Sequence, residues 1–322
     1  MRALVTGAAG FVGHHLAMRL RADDVDVIGI DSFTDYYDAA IKRANADLLQ
    51  RRGVDVVEAD LKTADLKAIL SGVEVIFHLA GQPGVRASWG DEFVRYTRDN
   101  VDATQHLLEA SRGSRTLKRL VYASSSSVYG NAERHPTRET DLPLPVSPYG
   151  VTKLAAEHLC SAYAASFGVP TVALRYFTVY GPGQRPDMAF TRFAHAALRD
   201  EEISIFGSGE QVRDFTYVSD VVEANVLAAH ASVSHGSVFN VAGGSHTSVN
   251  EVLRIFEKIL GRELNVRRVD PMAGDVRRTG GDTSSIEAAL GWRPRVRLEE
   301  GVARQIDWAL GAFGAAAQTA RA

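Results

Sequence analysis

Tyr149-Gly150-Val151-Thr152-Lys153 sets a phenol and a primary amine four residues apart. On a helix that spacing puts both side chains on one face. The chemistry open to such a pair is proton exchange with a carbinol or carbonyl oxygen. A free tyrosine keeps its proton until about pH 10, and a nearby ammonium favours the phenolate. Alone, Tyr-x-x-x-Lys is also a common accident of surface helices. A third polar group supplies context: Ser124-Ser125-Ser126-Ser127-Val128-Tyr129-Gly130 follows the apolar run 120–123. A serine at a strand end can hold the same substrate oxygen for the tyrosine. The bland use of these serines is a polar turn.

These groups need a partner for the electrons, and the N-terminus offers its site. Gly7-Ala8-Ala9-Gly10-Phe11-Val12-Gly13 lies directly after the apolar run Arg2–Thr6. Glycines there let the backbone approach a pyrophosphate, and the helix that follows offers free N–H groups. The motif is G-x-x-G-x-x-G, and its strand–turn–helix setting raises its weight over a plain tight turn. Asp31 closes the second strand and can accept bonds from both hydroxyls of an adenosine ribose. It would repel a 2′-phosphate, so the expected cofactor is NAD and not NADP. A bound cationic nicotinamide would further favour the Tyr149 phenolate. Asp60-Leu61 follows the third strand and suits adenine, although an Asp there also suits a turn.

The elements that must carry these groups alternate. Strands are expected at Arg2–Thr6, 26–30, Asp55–Glu58, Val75–His78, 119–123 and 171–175. Helices are expected at 10–21, 66–70, 101–112 and Pro148–Phe167. That rhythm predicts an α/β fold with a doubly wound parallel (Rossmann) sheet. Residues 1–175 form the cofactor domain, and 176–322 mainly a smaller α/β substrate-binding part. The boundary is expected not to be one clean cut, because 238–241 reads as a strand returning to the main sheet. The alanine-rich end, 311–322, reads as a frayed helix or a disordered tail.

Composition narrows the partners. The chain has 322 residues, a formal net charge of -3 and 45% hydrophobic residues. Nothing points to nucleic acid. No window reaches the about 18 apolar residues of a spanning helix, and no signal-peptide core is visible. The single cysteine, Cys160, fits a reducing cytoplasm. A core of this size needs no disulfide or metal.

Together these residues closely resemble the extended short-chain dehydrogenase/reductase family. The resemblance also rests on His78-Leu79-Ala80 and Asn100-Val101 and covers nearly the whole chain. It implies Ser125, Tyr149 and Lys153 as catalytic residues. It implies cofactor contacts from Gly7, Gly10, Phe11, Val12, Gly13 and Asp31. Further contacts would come from Asp60, Leu61, Leu79, Ala80, Asn100, Tyr149, Lys153 and Tyr176. It implies a homodimer, often through a four-helix bundle that includes the Tyr149 helix.

Within the family, the substrate side resembles nucleotide-sugar enzymes. Arg213, in Arg213-Asp214-Phe215-Thr216-Tyr217, is the expected phosphate arginine; its bland use is an ion pair with Asp214 or Asp220. Phe206 is expected on uracil, or in plain core, and Asp275 on the nucleotide ribose. Some relatives carry Arg three residues before that Asp, where Met272 stands here, so the second phosphate contact falls to Arg277 or Arg278. Phe177-Thr178-Val179-Tyr180-Gly181-Pro182 with Arg185-Pro186-Asp187-Met188-Ala189 resembles UDP-glucuronate 4-epimerases. So do Asp35-Tyr36-Tyr37-Asp38 and Gly84-Val85-Arg86-Ala87-Ser88. Ser88, Ser126, Ser127 and Thr178 are the expected hydroxyl donors to a sugar carboxylate. Arg185 would bind that carboxylate or the diphosphate, or make a surface pair.

The implied reaction is reversible oxidation at C4 of UDP-glucuronate. UDP-glucose/galactose epimerases usually carry Asn at position 178. UDP-glucuronate decarboxylases and 4,6-dehydratases commonly carry Glu at 127, and dehydratases Asp at 126; this chain has serine at both. A non-catalytic NAD(H) sensor of the same fold often loses the Tyr or Lys that this chain keeps.

Overall fold

The computed structural model describes residues 1–272 and 274–319. Its strands, in chain order, are β1 (Arg2–Thr6), β2 (Asp26–Asp31), β3 (Asp55–Glu58), β4 (Val75–His78), β5 (Arg119–Ser125) and β6 (Thr171–Tyr176). There follow β7 (Thr178–Tyr180), β8 (Ile203–Phe206), β9 (Val212–Arg213), β10 (Phe215–Tyr217), β11 (Ser237–Val241), β12 (Thr247–Ser248) and β13 (Val266–Val269).

Seven of these form one sheet in the order β11-β6-β5-β4-β1-β2-β3. Every pairing in it is parallel. Strand β4 is buried along its whole length and β5 and β6 nearly so, as a sheet covered on both faces requires. The expected doubly wound fold is therefore present. Winding reverses between β1 and β4, so a crevice opens at their carboxyl ends. The serine run of β5 and Tyr176 of β6 end on the same side.

The helix Pro148–Phe167 has the bounds the sequence predicts. Ser147 caps it by accepting from the Gly150 N–H at 3.1 Å, and Pro148 occupies its first turn. Such a cap stabilises a helix by about 1 kcal/mol. Gly168, with φ 69°, ends it in the left-handed region. Gly150 serves a second purpose: a Cβ there would lie 2.6 Å from the Ser127 carbonyl oxygen. Only glycine lets the Tyr149 helix sit this close to the serine turn.

One expectation needs correcting. The helix expected over 101–112 begins instead as a π-helical turn, Thr97–Asp102, before Ala103–Ser111. The wide turn aims Asn100 inward, as π-turns at functional sites often do. Of the two readings of the alanine-rich end, the helical one agrees with the helix Leu298–Thr319. Residues 320–322 lie outside the described residues.

Strand β11 pairs with β6, so the chain does return to the main sheet after Tyr176. The helix Val218–His230 also packs on the first helix, Phe11–Ala22. One apolar core runs from Ala3 and Val5 through Phe190, Phe215 and Phe256 to Ile306. The later strands pair in two-stranded ladders, β7 with β10, β8 with β13 and β9 with β12, and β7 reaches the crevice through Thr178 and Val179.

Candidate active site

The crevice is a cavity of about 420 Å³ along the carboxyl ends of the sheet. Gly7, Gly10, Phe11, Val12 and Gly13 line one end with Asp31, Asp60 and Leu61. Leu79, Ala80, Asn100 and Tyr176 line its middle. Ser125, Ser126, Ser127, Tyr149, Lys153, Thr178 and Arg185 line the other end.

The glycine end fits a dinucleotide pyrophosphate. The helix Phe11–Ala22 starts at Gly10 with no side chain capping it and no acid in its first turn. Its free N–H groups and positive end suit phosphate oxygens. A Cβ on Gly13 would come within 2.0 Å of the Gly7 carbonyl oxygen, so the tight turn demands glycine. Asp31 accepts from the Ala9 N–H at 3.1 Å and the Phe33 N–H at 2.9 Å. Each carboxylate oxygen keeps lone-pair capacity for a ribose hydroxyl. Burial raises the Asp31 pKa, and these N–H groups and Lys42 oppose the rise. Asp60 holds Lys62 at 2.8 Å, which reaches on to Asp99 at 3.0 Å.

At the other end Ser125, at the tip of β5, accepts from the Ser127 N–H at 3.1 Å. Burial pushes the Tyr149 phenol above its ordinary value, while a hydrogen bond with Ser125 and the charge of Arg185 pull it down. Burial lowers Lys153 to about 8 against the opposing charge of Glu157. Its ammonium lies 4.4 Å from the Tyr122 ring centre. Beside the expected Lys153, Ser125 and Arg185 thus act on the phenol, and burial opposes the charged form of both Tyr149 and Lys153.

Two other expected residues bond within the chain. Asn100 is buried, and both hydrogens of its amide are engaged. It accepts from the Gln82 N–H at 2.7 Å and donates to the Gln82 carbonyl and the Thr152 Oγ1 at 3.1 and 2.9 Å. It ties the loop after β4 to the Tyr149 helix, and it lines the cavity with an amide oxygen that accepts one bond from the chain. Ser88 is fully buried away from the cavity, and its hydroxyl donates to the Val85 carbonyl at 2.7 Å. It closes a turn and is not a substrate donor.

Phe206, Arg213 and Asp275 stand apart from the cavity lining but are gathered by Arg86. The Arg86 guanidinium lies 4.1 Å from the Phe206 ring centre and 2.8 Å from an Asp275 oxygen. Arg213 donates to the Val212 carbonyl at 2.9 Å. The carboxylates that could have paired with it are used elsewhere. Asp214 accepts from the N–H groups of Gly244 and Gly281, and Asp220 from those of Arg295 and Val296.

Sequence reasoning assigned no role to four residues that contribute. Tyr96 donates to the carbonyls of Pro83 and Gly84 and sets its ring edge-to-face with Tyr149, the ring centres 6.2 Å apart. Glu157 and Arg175 form a buried pair at 2.6 Å beneath Lys153. Glu157 was findable, since it lies one further helical turn along the Tyr149–Lys153 face. Arg86 was not, because its partners are distant in the chain. Among the described residues, no cluster of His, Cys, Asp or Glu could hold a metal ion. No described helix is long and apolar enough to cross a membrane.

Residues 3–242 match the model of the NAD dependent epimerase/dehydratase family. A Bacillus subtilis (strain 168) protein named as an uncharacterized UDP-glucose epimerase is 44% identical over 308 residues, 95% of this chain and 97% of its own. A probable UDP-glucuronate 4-epimerase of Rhizobium meliloti (strain 1021) is 36% identical over 331 residues, with 96% of each chain covered. The crystal structure of a Bacillus cereus UDP-glucuronic acid 4-epimerase, in complex with UDP-glucuronic acid and NAD, is 39% identical. It matches with a TM-score of 0.93 over 97% of this chain and 100% of its own. The sheet order, the glycine cradle and the Ser–Tyr–Lys wall agree with these likenesses: the chain belongs to the NAD dependent epimerase/dehydratase family.

Proposed function

We propose that the protein is an NAD-dependent 4-epimerase of UDP-sugars, with UDP-glucuronate and UDP-galacturonate as its pair. The observation that carries this is one cavity wall on which Ser125, Tyr149 and Lys153 meet Ser126, Ser127, Thr178 and Arg185. Tyr149 takes the proton of the sugar 4-hydroxyl, and Ser125 hydrogen-bonds that oxygen. NAD, when bound, accepts the hydride from C4 and returns it to the opposite face after the 4-keto sugar has turned. Tyr149 then gives the proton back. The 4-keto form of a glucuronate is a β-keto acid, and it loses CO₂ when the C5–C6 bond aligns with the carbonyl π system. Fixed hydroxyls from Ser126, Ser127 and Thr178 hold the carboxylate out of that geometry. The serines at 126 and 127, in place of acids, speak against decarboxylation and dehydration. The complete Ser–Tyr–Lys wall speaks against a non-catalytic NAD(H) sensor.

A neutral hexose, as in UDP-glucose, is the second reading. It is favoured by Arg185, whose guanidinium already makes two bonds of 2.9 Å to Asp187. Incubation with UDP-glucuronate or UDP-glucose without added reductant, followed by proton NMR, separates the two. UDP-galacturonate without CO₂ release is the expected product. A UDP-pentose would sink the epimerase reading, and turnover of UDP-glucose alone would remove the carboxylate role.

We further read the chain as a cytoplasmic homodimer, with residues 1–175 chiefly holding NAD and 176–322 chiefly the nucleotide sugar. Buried, unpaired Cys160 fits the compartment. Exposed Val94, Val151 and Phe167, on the Tyr149 helix and the short helix beside it, fit the dimer. Light scattering should return twice the chain mass of 34.9 kDa; a monomer at working concentration would refute the dimer.

A further inference from the structure

We propose that Arg86 is a latch on the nucleotide subsite. It covers the Phe206 ring and holds the Asp275 carboxylate, a UDP-sugar displaces it from both, and it then closes on the diphosphate beside Arg213. The proposal rests on the UDP-sugar reading above.

That reading gives uracil to the Phe206 face and the ribose to Asp275. In the structure both are taken by one side chain, at 4.1 Å from the ring centre and 2.8 Å from the carboxylate oxygen. Base and guanidinium cannot share one ring face, so nucleotide and latch exclude each other. The latch contacts are weak enough to yield. Arg86 is about two-fifths exposed and Asp275 one-quarter, so the ion pair is screened.

Its new partner follows from charge. Arg213 makes no ion pair with a described residue and donates only to its neighbour's carbonyl. Arg86 acts on Arg213 as a nearby like charge, with Asp275 as the opposite charge acting on it. Two arginines near one carboxylate leave a net positive site, whose planar, forked donors match a diphosphate. Arg86 thereby supplies the second phosphate cation that Met272 cannot.

Only the side chain has to move. The turn Arg86–Ser88 is pinned by the Ser88 hydroxyl on Val85 and by Tyr96 on Gly84, at 2.7 and 2.8 Å. The Asp275 loop packs directly on it, since a Cβ on Gly274 would sit 3.2 Å from Val85 and 3.5 Å from the Trp89 indole nitrogen.

Displacement and closure predict opposite signs for two ligands. Calorimetric titration of the NAD-loaded Arg86→Ala protein with uridine and with UDP tests them. Uridine must only evict the latch, so its binding should tighten, by about threefold for a lost cation–π contact. UDP also gains the arginine, so its binding should weaken by about tenfold. Arg86→Lys should give smaller shifts of the same signs. If both ligands weaken, Arg86 is an ordinary nucleoside contact and the latch is overturned. If UDP is unaffected, closure on the diphosphate is overturned; if uridine is unaffected, displacement is. A parent protein that binds neither ligand refutes the UDP-sugar reading itself, and the latch with it.

Discussion

Tyr149→Phe should lower turnover by about three orders of magnitude, within the range that positioned acid–base groups contribute. It should leave NAD content and thermal stability close to those of the parent. The two effects separate because the ring and the hydroxyl do different things. The ring packs edge-on against Tyr96 at 6.2 Å, and phenylalanine keeps that contact. The hydroxyl alone stands between Ser125 and the sugar oxygen. Without it the 4-hydroxyl proton has no acceptor, so hydride cannot leave C4. Rapid mixing of the variant with UDP-glucuronate should show no transient NADH absorbance. A variant that still turns over within tenfold of the parent would mean that another group takes the proton.

The same pair sets the pH response. Burial raises Tyr149 and lowers Lys153 to about 8, so burial works against the charged form of both groups. A cationic nicotinamide beside the phenol shifts the balance toward phenolate. The Lys153 ammonium is present below about pH 8 and is lost as pH rises through that value. Activity that depends on it should therefore fall on the alkaline side of about pH 8.

Much of this was legible because the signals were local. Strands β1, β3 and β4 are short runs centred on β-branched or apolar residues between helical patterns, and their bounds follow from the sequence alone. The Tyr149 helix announces both ends, with Ser147-Pro148 at one and Gly168 at the other. The glycine cradle and the Ser–Tyr–Lys wall each lie within one segment. What stayed hidden depends on segments meeting in space. Ser88 has the right chemistry for a substrate donor, but its hydroxyl is spent on its own turn. Asn100 stands at a site position, yet only the fold shows its amide hydrogens spent on Gln82 and Thr152. Arg86 and Asp275 are 189 residues apart, and no periodicity reports such a pairing. Ladders such as β9 with β12 have two residues per strand, too few to carry an alternating pattern.

Glu157→Ala should be the most destabilising of these changes, by about 3–5 kcal/mol, the usual cost of stranding a buried charge. Glu157 is 2% exposed and Arg175 4%. Two bonds, of 2.6 and 3.0 Å, join them, and the Ser124 hydroxyl donates to the same carboxylate at 2.6 Å. Arg175 also donates to the Tyr129 hydroxyl at 2.6 Å, which donates in turn to Asn240 at 2.7 Å. One carboxylate thus clamps the Tyr149 helix to β5 and β6 and, through Tyr129, to β11. Removing it leaves a guanidinium in the core; removing both partners does not. The double variant Glu157→Met, Arg175→Met should recover much of the loss in a denaturation cycle. Catalysis gives an independent readout. Glu157 is a positioning residue whose charge holds the Lys153 pKa up, so Glu157→Gln should move the alkaline fall in activity below about pH 8. A single variant that loses under 1 kcal/mol, or a double variant no better than the single, would show that the pair does not clamp the site.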